Sequence, residues 1–187
     1  MKMSKKSITI LVLFIFLSCI FLAISGGYTV IKSVYKLRYE SSVKYWAEEY
    51  SLDPYLVCSV IWTESKFDKE AESPVGAIGL MQIMPETGEW IADKLDLEDY
   101  HTEMLYEEDV NIRFGCWYLR FLLDRFEVTE TACAAYNAGQ NKVSDWLDLK
   151  TYSSDGKTLD VIPYEETAEY VERIKKAYEI YHFFYTI

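Results

Sequence analysis

Histidine and cysteine are scarce in this sequence of 187 residues, and their positions exclude several kinds of catalytic site. His101 and His182 are the only histidines, and neither lies near a cysteine cluster. This distribution supports neither a zinc site nor a catalytic triad built on histidine. We therefore predict a protein that uses no metal and no cofactor.

The four cysteines form no short pairing motif. Cys58 and Cys133 lie within apolar helical stretches, where a free cysteine behaves as a small hydrophobic residue. We interpret both as core residues. A disulfide outside the cell is an open alternative, because the sequence does not assign a pair.

Basic residues are few compared with acidic ones. Three of the 19 basic residues and none of the 30 acidic residues fall in the first 25 positions, so the rest of the chain has 16 basic residues and a net charge of −14. Nucleic acids and anionic lipid headgroups are bound chiefly by basic patches. We predict no nucleic-acid partner, whereas an uncharged sugar chain is compatible with this charge.

Only one long apolar run is present, from Ile8 to Ile24, and three lysines precede it. Its 17 residues are short for a membrane-spanning helix and slightly long for the core of a signal peptide. We favour an uncleaved single-pass membrane anchor over residues 1–25. The lysines then place the N-terminus in the cytoplasm and the rest of the chain outside. The alternative is a protein secreted after cleavage near Ser25.

The remainder of the chain is predicted to be helical. Residues 26–38 are interpreted as a connector and residues 39–187 as one all-α domain of about seven helices. Strand-like alternation is absent, so we expect at most a small β-hairpin near Gly76 to Leu80. No internal repeat is visible.

Several helix boundaries follow from capping residues. A helix from Tyr39 to Tyr50 is expected to pack beneath the next one. Thr129 is predicted to cap a helix from Glu130 to Tyr136, and Asn137-Ala138-Gly139 is predicted to end it in a left-handed C-cap. Pro163 is predicted to open the final helix.

One acidic residue is predicted to lie on an apolar helix face. Asp53 is typical of an N-cap and Pro54 of a first helical position, so a helix begins here. Glu64 then shares a face with three aliphatic residues, Val57, Val60 and Ile61. An arbitrary glutamate near a helix end is usually solvated, but burial would raise its pKa and keep it protonated near neutral pH, as a general acid requires.

The segment Ser73 to Gln82 contains two glycines, one proline and no charged residue. Such a turn is typical of places where backbone approaches a ligand closely, rather than of a solvated loop. It follows the Glu64 helix directly.

Four blocks of this chain resemble the successive motifs of the lytic transglycosylases, the soluble-transglycosylase-like relatives of goose-type lysozyme. In order, these blocks are TESKFD, SPVGAIGLMQIMPET, AAYNAGQNKV and IPYEETAEYV. The resemblance covers Leu52 to about Ile174. It implies a lysozyme-like, α-rich domain that acts on peptidoglycan glycan strands.

The resemblance also implies a reaction and a catalytic residue. In this family a glutamate protonates the glycosidic oxygen between N-acetylmuramic acid and N-acetylglucosamine, and the substrate's acetamido group assists at the anomeric carbon. The same glutamate then deprotonates the C6 hydroxyl, which gives a 1,6-anhydromuramyl end without water. Glu64 is the matching residue. By the same resemblance, Ser73 and Gln82 hold the acetamido group or position the sugar, although a serine that caps its own turn is the alternative.

Further groove residues follow from the same match. Tyr136 and Tyr170 are expected to flank Glu64 and either hydrogen-bond to it or stack on sugar. Met81 is expected to present its side chain to the sugar face. The other expected substrate-binding positions are the backbone floor and the end of the tyrosine motif: Gly79, Leu80 and Asn137.

Two other functions are weighed against this one. A goose-lysozyme-like muramidase differs only in that water attacks, and glycosidases of the usual kind need a second carboxyl group. No aspartate or glutamate occurs from Ser73 to Met84, which favours the single-acid reaction. A catalytically idle wall-binding or assembly protein is the other candidate, and the presence of Glu64 with Ser73 and Gln82 weighs against it.

Overall fold

The structure is a computed structural model that describes residues 5–187. Residues 1–4, where the predicted anchor begins, lie outside the described residues. The chain divides into two units after Lys36. Each unit is described separately below.

The first unit contains one long helix, α1, Lys5–Val34. The part from Leu13 to Val34 has a mean hydropathy of 2.1, and none of it is buried. At about 1.5 Å per residue its 22 residues extend for about 33 Å, compared with about 30 Å for the hydrocarbon core of a bilayer. By length and composition α1 can therefore cross a membrane. The helix continues without a break into the predicted connector 26–38.

The second unit, residues 37–187, is all-α, as the sequence predicted. Its β pairing is limited to two isolated antiparallel bridges, Glu72 with Ile78 and Ile78 with Ile83. Its helices are α2 Glu40–Glu49, α3 Pro54–Ser65, α4 Pro85–Lys94, a 3₁₀ helix Thr102–Tyr106, α5 Glu108–Phe126, α6 Thr129–Ala138, α7 Gln140–Leu147 and α8 Glu165–Phe184.

Helix α3 lies at the centre of this unit and contacts α2 and α8. Helix α5 packs against α2 and α6, and α6 packs in turn against α7 and α8. Eight of the twelve residues of α3 are buried. A helix that is apolar on nearly all sides is stable only inside a domain, which explains why α2 and α8 pack against it. The predicted contact between α2 and the Glu64 helix is confirmed.

The cysteines of the second unit are free thiols in the core. Cys58 and Cys133 are buried, as predicted, and so is Cys116. No disulfide occurs in residues 5–187. Burial raises the pKa of all three thiols, that of Cys133 to about 12. The open question about a disulfide is therefore answered in favour of unpaired cysteines.

The cap of α3 is confirmed. Asp53 adopts an extended conformation and its Oδ1 accepts a hydrogen bond from the Tyr55 amide at 2.8 Å, with Pro54 at the first helical position. The Tyr178 hydroxyl of α8 donates to the other oxygen of Asp53 at 2.7 Å. The N-terminus of α3 is therefore tied both to its own first turn and to α8.

Two other predicted helix starts are wrong. Helix α6 begins at Thr129 itself, and its N-cap is Val128, whose side chain makes no capping hydrogen bond. Helix α8 begins at Glu165 rather than at Pro163. Tyr164 is the extended N-cap residue of α8, and its ring packs edge-on against Trp146, with centroids 5.0 Å apart.

The predicted left-handed C-cap at Gly139 is also wrong in its geometry. Gly139 has φ 90° and ψ 138°, which lies outside the left-handed helical region. The reason is that Gly139 ends α6 and starts α7, whose Val143 amide donates to the Gly139 carbonyl at 3.2 Å. Glycine is suited to this conformation because it has no Cβ.

The segment between α3 and α4 is fixed by hydrogen bonds to one buried side chain of α5. Asn111 is 1% exposed, and its Oδ1 accepts a hydrogen bond from the Met81 amide at 2.7 Å. Its Nδ2 donates to the carbonyls of Ile78 at 2.9 Å and Leu105 at 2.7 Å. Asn111 therefore fixes the position of the segment between α3 and α4 relative to α5.

We predict that Asn111→Ala destabilises the domain strongly. The change leaves the buried Met81 amide and Leu105 carbonyl without their partner, whereas the Ile78 carbonyl still accepts from the Ile83 amide, and each unpaired buried group costs about 1–3 kcal/mol. The free energy of unfolding, measured by urea denaturation with tryptophan fluorescence, should fall by about 3–5 kcal/mol. Asn141→Ala, at an exposed position in α7, should change it by less than about 0.5 kcal/mol. A loss below about 1 kcal/mol for Asn111→Ala would contradict this account of the segment.

Candidate active site

Glu64 occupies the last turn of the buried helix α3. The helix ends after Ser65 because Lys66 is left-handed, with φ 55°, and the Lys66 amide still donates to the Trp62 carbonyl at 3.1 Å. The Glu64 side chain is half-buried. Its carboxyl group therefore stands where the apolar core meets the surface.

The surroundings of Glu64 favour its protonated form. Burial raises its pKa from 4.5 to about 7, and three weaker influences lower it. The first is the Tyr170 hydroxyl, which donates to Oε1 at 2.6 Å, and the others are the charges of Arg173 and Lys66. A carboxyl group with this pKa can both donate and accept a proton near neutral pH.

Two buried tyrosine hydroxyls define the surroundings of this carboxyl group. Tyr170 of α8 hydrogen-bonds to Glu64 directly, whereas the Tyr136 hydroxyl at the end of α6 donates to the Met81 carbonyl at 2.8 Å. Burial and the charge of Glu64 raise the pKa of both tyrosines well above 10. Both hydroxyls therefore stay protonated and act as donors.

Ser73 and Gln82 use their side chains to hold their own segment together. Ser73 Oγ accepts a hydrogen bond from the Ala77 amide at 2.9 Å. Gln82 Nε2 donates to the carbonyls of Ala71 at 3.1 Å and Gly79 at 2.9 Å. The alternative for Ser73, a serine that caps its own turn, is the arrangement that occurs. Both residues are half-buried, and the Oε1 atom of Gln82 is the part of its amide group that is left for a ligand.

The structure corrects the expectation for Met81. Its side chain is fully buried and lies against Gly115 of α5, where an added Cβ would be 2.1 Å from the Met81 sulfur. Met81 therefore points into the core and not toward a sugar. Leu80 is fully buried as well, and its carbonyl accepts from Ser65 Oγ at 2.8 Å, while the Gly79 amide donates to the Ala71 carbonyl. Gly79, Leu80 and Met81 are therefore buried beneath the surface of this segment and support it from inside the protein.

A cavity of about 260 Å³ lies beside Tyr136. Asn137 is part of its wall, and its Oδ1 accepts a hydrogen bond from Thr167 Oγ1 at 2.8 Å. Larger cavities of about 430 and 440 Å³ lie elsewhere, and Glu64 lines neither these cavities nor the one beside Tyr136. The 260 Å³ cavity is lined by Gln82, Ile83, Met84, Thr87, Tyr118, Tyr136, Asn137, Ala138 and Gly139.

Six of these nine lining residues were not predicted as site residues: Ile83, Met84, Thr87, Tyr118, Ala138 and Gly139. Met84 is half-buried and lines the cavity where Met81 was expected, and its place beside Pro85 in the same motif was an available signal. Thr87 lies one turn further on in α4. Tyr118 reaches the cavity from α5, with its ring centroid 5.4 Å from that of Tyr136, and no local pattern marks it.

The charged groups that influence Glu64 are both cationic. Among the described residues, Arg173 and Lys66 affect its pKa and no second carboxylate does. The described residues also contain no group of three or more histidines, cysteines or acidic residues that could hold a metal ion. The site therefore combines one carboxyl group of raised pKa, tyrosine donors and two nearby positive charges.

Comparison with known proteins matches residues 41–159 to the family model described as the transglycosylase SLT domain. The soluble lytic murein transglycosylase of Salmonella typhimurium is 37% identical over 122 residues, which cover 64% of this chain and 19% of that protein. The membrane-bound lytic murein transglycosylase C of Actinobacillus pleuropneumoniae is 26% identical over 166 residues, which cover 77% of this chain and 46% of that protein.

Two solved structures share the fold. The 70 kDa soluble lytic transglycosylase of Escherichia coli superposes with a TM-score of 0.73 and 26% identity, over 82% of this chain and 25% of that one. The lytic transglycosylase Slt of Pseudomonas aeruginosa, solved as an inactive glutamate-to-glutamine mutant, gives a TM-score of 0.70 and 28% identity, over 81% and 25% of the two chains.

This chain spans about a fifth to a half of the length of these two curated relatives. The family model covers more than half of the chain, and the resemblance drawn from the four sequence motifs is confirmed. The match includes Glu64, the segment that follows it and Tyr136. The chain therefore belongs to the transglycosylase SLT domain family.

Proposed function

We propose that this protein is a peptidoglycan lytic transglycosylase. It cleaves the β-1,4 bond between N-acetylmuramic acid and N-acetylglucosamine without water and leaves 1,6-anhydromuramyl ends. The observation that carries the proposal is the state of Glu64, whose pKa of about 7 and hydrogen bond from Tyr170 suit a group that must act first as an acid and then as a base. The names of the relatives, which act on murein, support the choice of substrate.

In the first step protonated Glu64 donates its proton to the glycosidic oxygen. The bond between that oxygen and the anomeric carbon breaks, and the acetamido oxygen of the muramyl residue forms a bond to the same carbon. The sugar that leaves carries the transferred proton. Glu64 is now a carboxylate, which the Tyr170 hydroxyl and the nearby charges of Arg173 and Lys66 stabilise.

In the second step the Glu64 carboxylate accepts the proton of the muramyl C6 hydroxyl. The C6 oxygen attacks the anomeric carbon and displaces the acetamido oxygen, which closes the 1,6-anhydro ring. Glu64 ends the cycle protonated, so that atoms and charges balance without a water molecule. The pKa near 7 places the two protonation states close in free energy, as both steps require.

The absence of a second carboxylate near Glu64 supports this reaction over hydrolysis. Glycosidases with two carboxyl groups place them about 5–9.5 Å apart. At such a distance a second carboxylate would raise the pKa of the first. Among residues 5–187, only Arg173 and Lys66 exert a charge effect on Glu64, and both lower its pKa.

We propose that the cavity beside Tyr136 receives a sugar next to the cleaved bond. Gln82 Oε1 and Asn137 offer polar contacts there, and Met84 offers an apolar one. The wall of this cavity is supported from inside the protein by Ser73, Gly79, Leu80 and Met81. The side chains or backbone groups of these residues already form hydrogen bonds within the protein.

We also propose that α1 anchors the protein in the cell membrane and that the catalytic domain lies outside the cytoplasm. The length and apolar character of Leu13–Val34 support the anchor, and one relative is named as membrane-bound. The lysines near the N-terminus favour a cytoplasmic N-terminal end. Glycan strands of peptidoglycan are then the partner of the domain.

The products released from purified peptidoglycan test the reaction directly. We expect mass spectrometry to find 1,6-anhydromuramyl ends with the unaltered protein. In Glu64→Gln their rate of formation should fall by at least about 100-fold, because glutamine can neither donate nor accept the proton. Reducing ends in their place would make the protein a muramidase. No product from either protein would favour the wall-binding alternative.

The same substitution should stabilise the fold at alkaline pH. The folded pKa of Glu64 is raised from 4.5 to about 7, so ionisation of Glu64 weakens the folded state as the pH rises through this range. Glutamine has no charge to bury. At about pH 8 Glu64→Gln should be more stable than the unaltered protein by up to about 3 kcal/mol in urea denaturation, with little difference at about pH 4.5. A lower stability of the variant at both pH values would mean that the loss of activity reflects misfolding.

The hydrogen bond from Tyr170 should set the pH range of activity. It lowers the pKa of Glu64, so Tyr170→Phe should raise that pKa above about 7 and move the alkaline loss of kcat/KM to higher pH. Tyr178→Phe removes a similar tyrosine–carboxylate hydrogen bond at the other end of α3 and should leave the profile unchanged. A profile that stays in place or moves to lower pH in Tyr170→Phe would contradict the assignment.

A further inference from the structure

The segment 96–109, which joins α4 to α5, carries half of the net negative charge of the chain beyond residue 25. It contains seven acidic residues and no lysine or arginine, so its charge is −7 with histidine neutral, compared with −14 for that whole part of the chain. None of these residues has a role in the proposed reaction. Charge of one sign at this density belongs either to a solvated surface or to a binding surface for a basic partner.

The same segment borders a cavity of about 440 Å³ whose lining is largely apolar. Leu97, Tyr100 and Met104 line it from the segment, and Val110 and Phe114 line it from α5. Phe114 is fully buried, whereas the other four side chains are half-buried. Cavities of about 300–1,000 Å³ are the usual size for a bound ligand or an inserted side chain. The segment therefore has an apolar surface that a partner can reach.

Exposed carboxylates surround this apolar surface. Four acidic residues line the cavity, and none of them forms an ion pair within residues 5–187. One arginine, Arg113, also lines it, and its guanidinium group lies 5.1 Å from the centroid of the Trp46 ring. The charged residues of the lining therefore sum to −3. The four acidic residues, all exposed, are Asp96, Glu98, Asp99 and Asp109.

Contacts within the domain fix the walls of the cavity. The Tyr100 ring packs against the buried phenylalanine of α5, with centroids 5.3 Å apart. Asn111 Nδ2 donates to the Leu105 carbonyl at 2.7 Å, and the Tyr106 hydroxyl donates to Glu72 at 3.2 Å. A binding surface that is already ordered loses less conformational entropy on binding than a mobile loop does.

We propose that this cavity binds a segment of a partner protein that presents one bulky apolar side chain between basic residues. The apolar side chain enters the cavity, and the basic residues pair with Asp96, Glu98 and Asp99 around it. An apolar centre within a polar rim is the usual arrangement of protein interfaces. The negative charge of the domain attracts such a partner and repels acidic ones. This surface lies outside the proposed active site, so the inference does not depend on the proposed reaction.

Other roles for this surface lead to different measurements. If the acidic residues only keep the domain soluble, no saturable binding occurs. If the carboxylates bind a divalent cation, calcium alone occupies the site. If a second copy of this chain covers the apolar surface, the signals of the cavity change with protein concentration. Only docking of a basic and apolar segment requires both features of the partner at once.

Methionine methyl groups can report on this cavity and on the rest of the domain in one experiment. Met104 lines the cavity, whereas Met84 lines the one beside Tyr136 and Met81 lies in the core. The full chain in uncharged detergent is labelled with carbon-13 at its methionine methyl groups. It is then titrated with a short synthetic peptide that carries one leucine between two pairs of lysines. We expect the NMR signal of Met104 to shift in a saturable way and those of Met81 and Met84 to stay in place.

Two altered peptides separate the contributions of charge and apolar contact. Glutamine in place of the lysines should weaken binding by at least about tenfold, because the ion pairs are lost. Glycine in place of the leucine should weaken it by about tenfold, because no apolar side chain is buried. Added salt should weaken binding of the original peptide, since exposed charges are screened.

A matched pair of protein variants tests the position of the site. The triple variant Asp96→Asn, Glu98→Gln and Asp99→Asn removes three charges with little change of shape, and asparagine suits the left-handed conformation of residue 96, whose φ is 52°. It should weaken binding of the original peptide by at least about tenfold. The control removes three exposed charges on or beside α6 and α7 and should weaken it by less than about twofold. Its substitutions are Glu130→Gln, Asp145→Asn and Asp148→Asn.

Several results would overturn the proposal. A Met104 signal that does not shift, or equal weakening in the two triple variants, would leave only a solvated acidic surface. Equal binding of the peptide with glycine in place of leucine would reduce the site to attraction between charges. A saturable shift of Met104 with calcium chloride alone below about 1 mM would make it a cation site. A shift with protein concentration alone would assign the surface to a second copy. Unchanged Met81 and Met84 signals in each variant verify that the fold is intact.

Discussion

The desolvation of one carboxyl group is the constraint on which the rest of this domain depends. Glu64 has a raised pKa because it ends a helix that is buried on nearly all sides. Keeping α3 in the core requires α2 and α8 around it, and α8 in turn provides the Tyr170 hydroxyl that bonds to Glu64. The fold and the reactive group are therefore not separable, because the same packing that stabilises α3 sets the proton affinity of its last turn.

The segment after α3 shows how polar side chains near a reactive group are used for support. Asn111 holds the Met81 amide, Ser65 holds the Leu80 carbonyl, and Tyr136 holds the Met81 carbonyl. Gln82 closes the segment on itself. Few of these groups are left to face a ligand directly. Their main effect is to fix the position and orientation of the groove wall relative to Glu64. A reaction in which one carboxyl group first donates a proton and then accepts one requires such a fixed geometry.

Local chemistry explains which features the sequence could predict. The cap by Asp53 and Pro54, the place of Glu64 on an apolar face and the all-α fold follow from patterns within one or two helical turns. The side-chain direction of Met81 does not, because it depends on the space opposite Gly115, more than 30 residues away. Tyr118 and Arg173 were likewise missed, since each reaches the site from another helix. The starts of α6 and α8 were misplaced because their N-cap residues, Val128 and Tyr164, make no capping hydrogen bond with their side chains and so carry no capping signal in the sequence.

The three buried cysteines have a consequence for the environments in which this domain can fold. Exchange and oxidation of thiols proceed through the thiolate, and burial raises the pKa of Cys58, Cys116 and Cys133 far above the ambient pH. Oxidants in the surroundings find almost no reactive sulfur, and no crosslink within residues 37–187 has to form before the core closes. The domain therefore reaches the same folded state in reducing and oxidising compartments, and it needs no disulfide-forming catalyst on either side of a membrane.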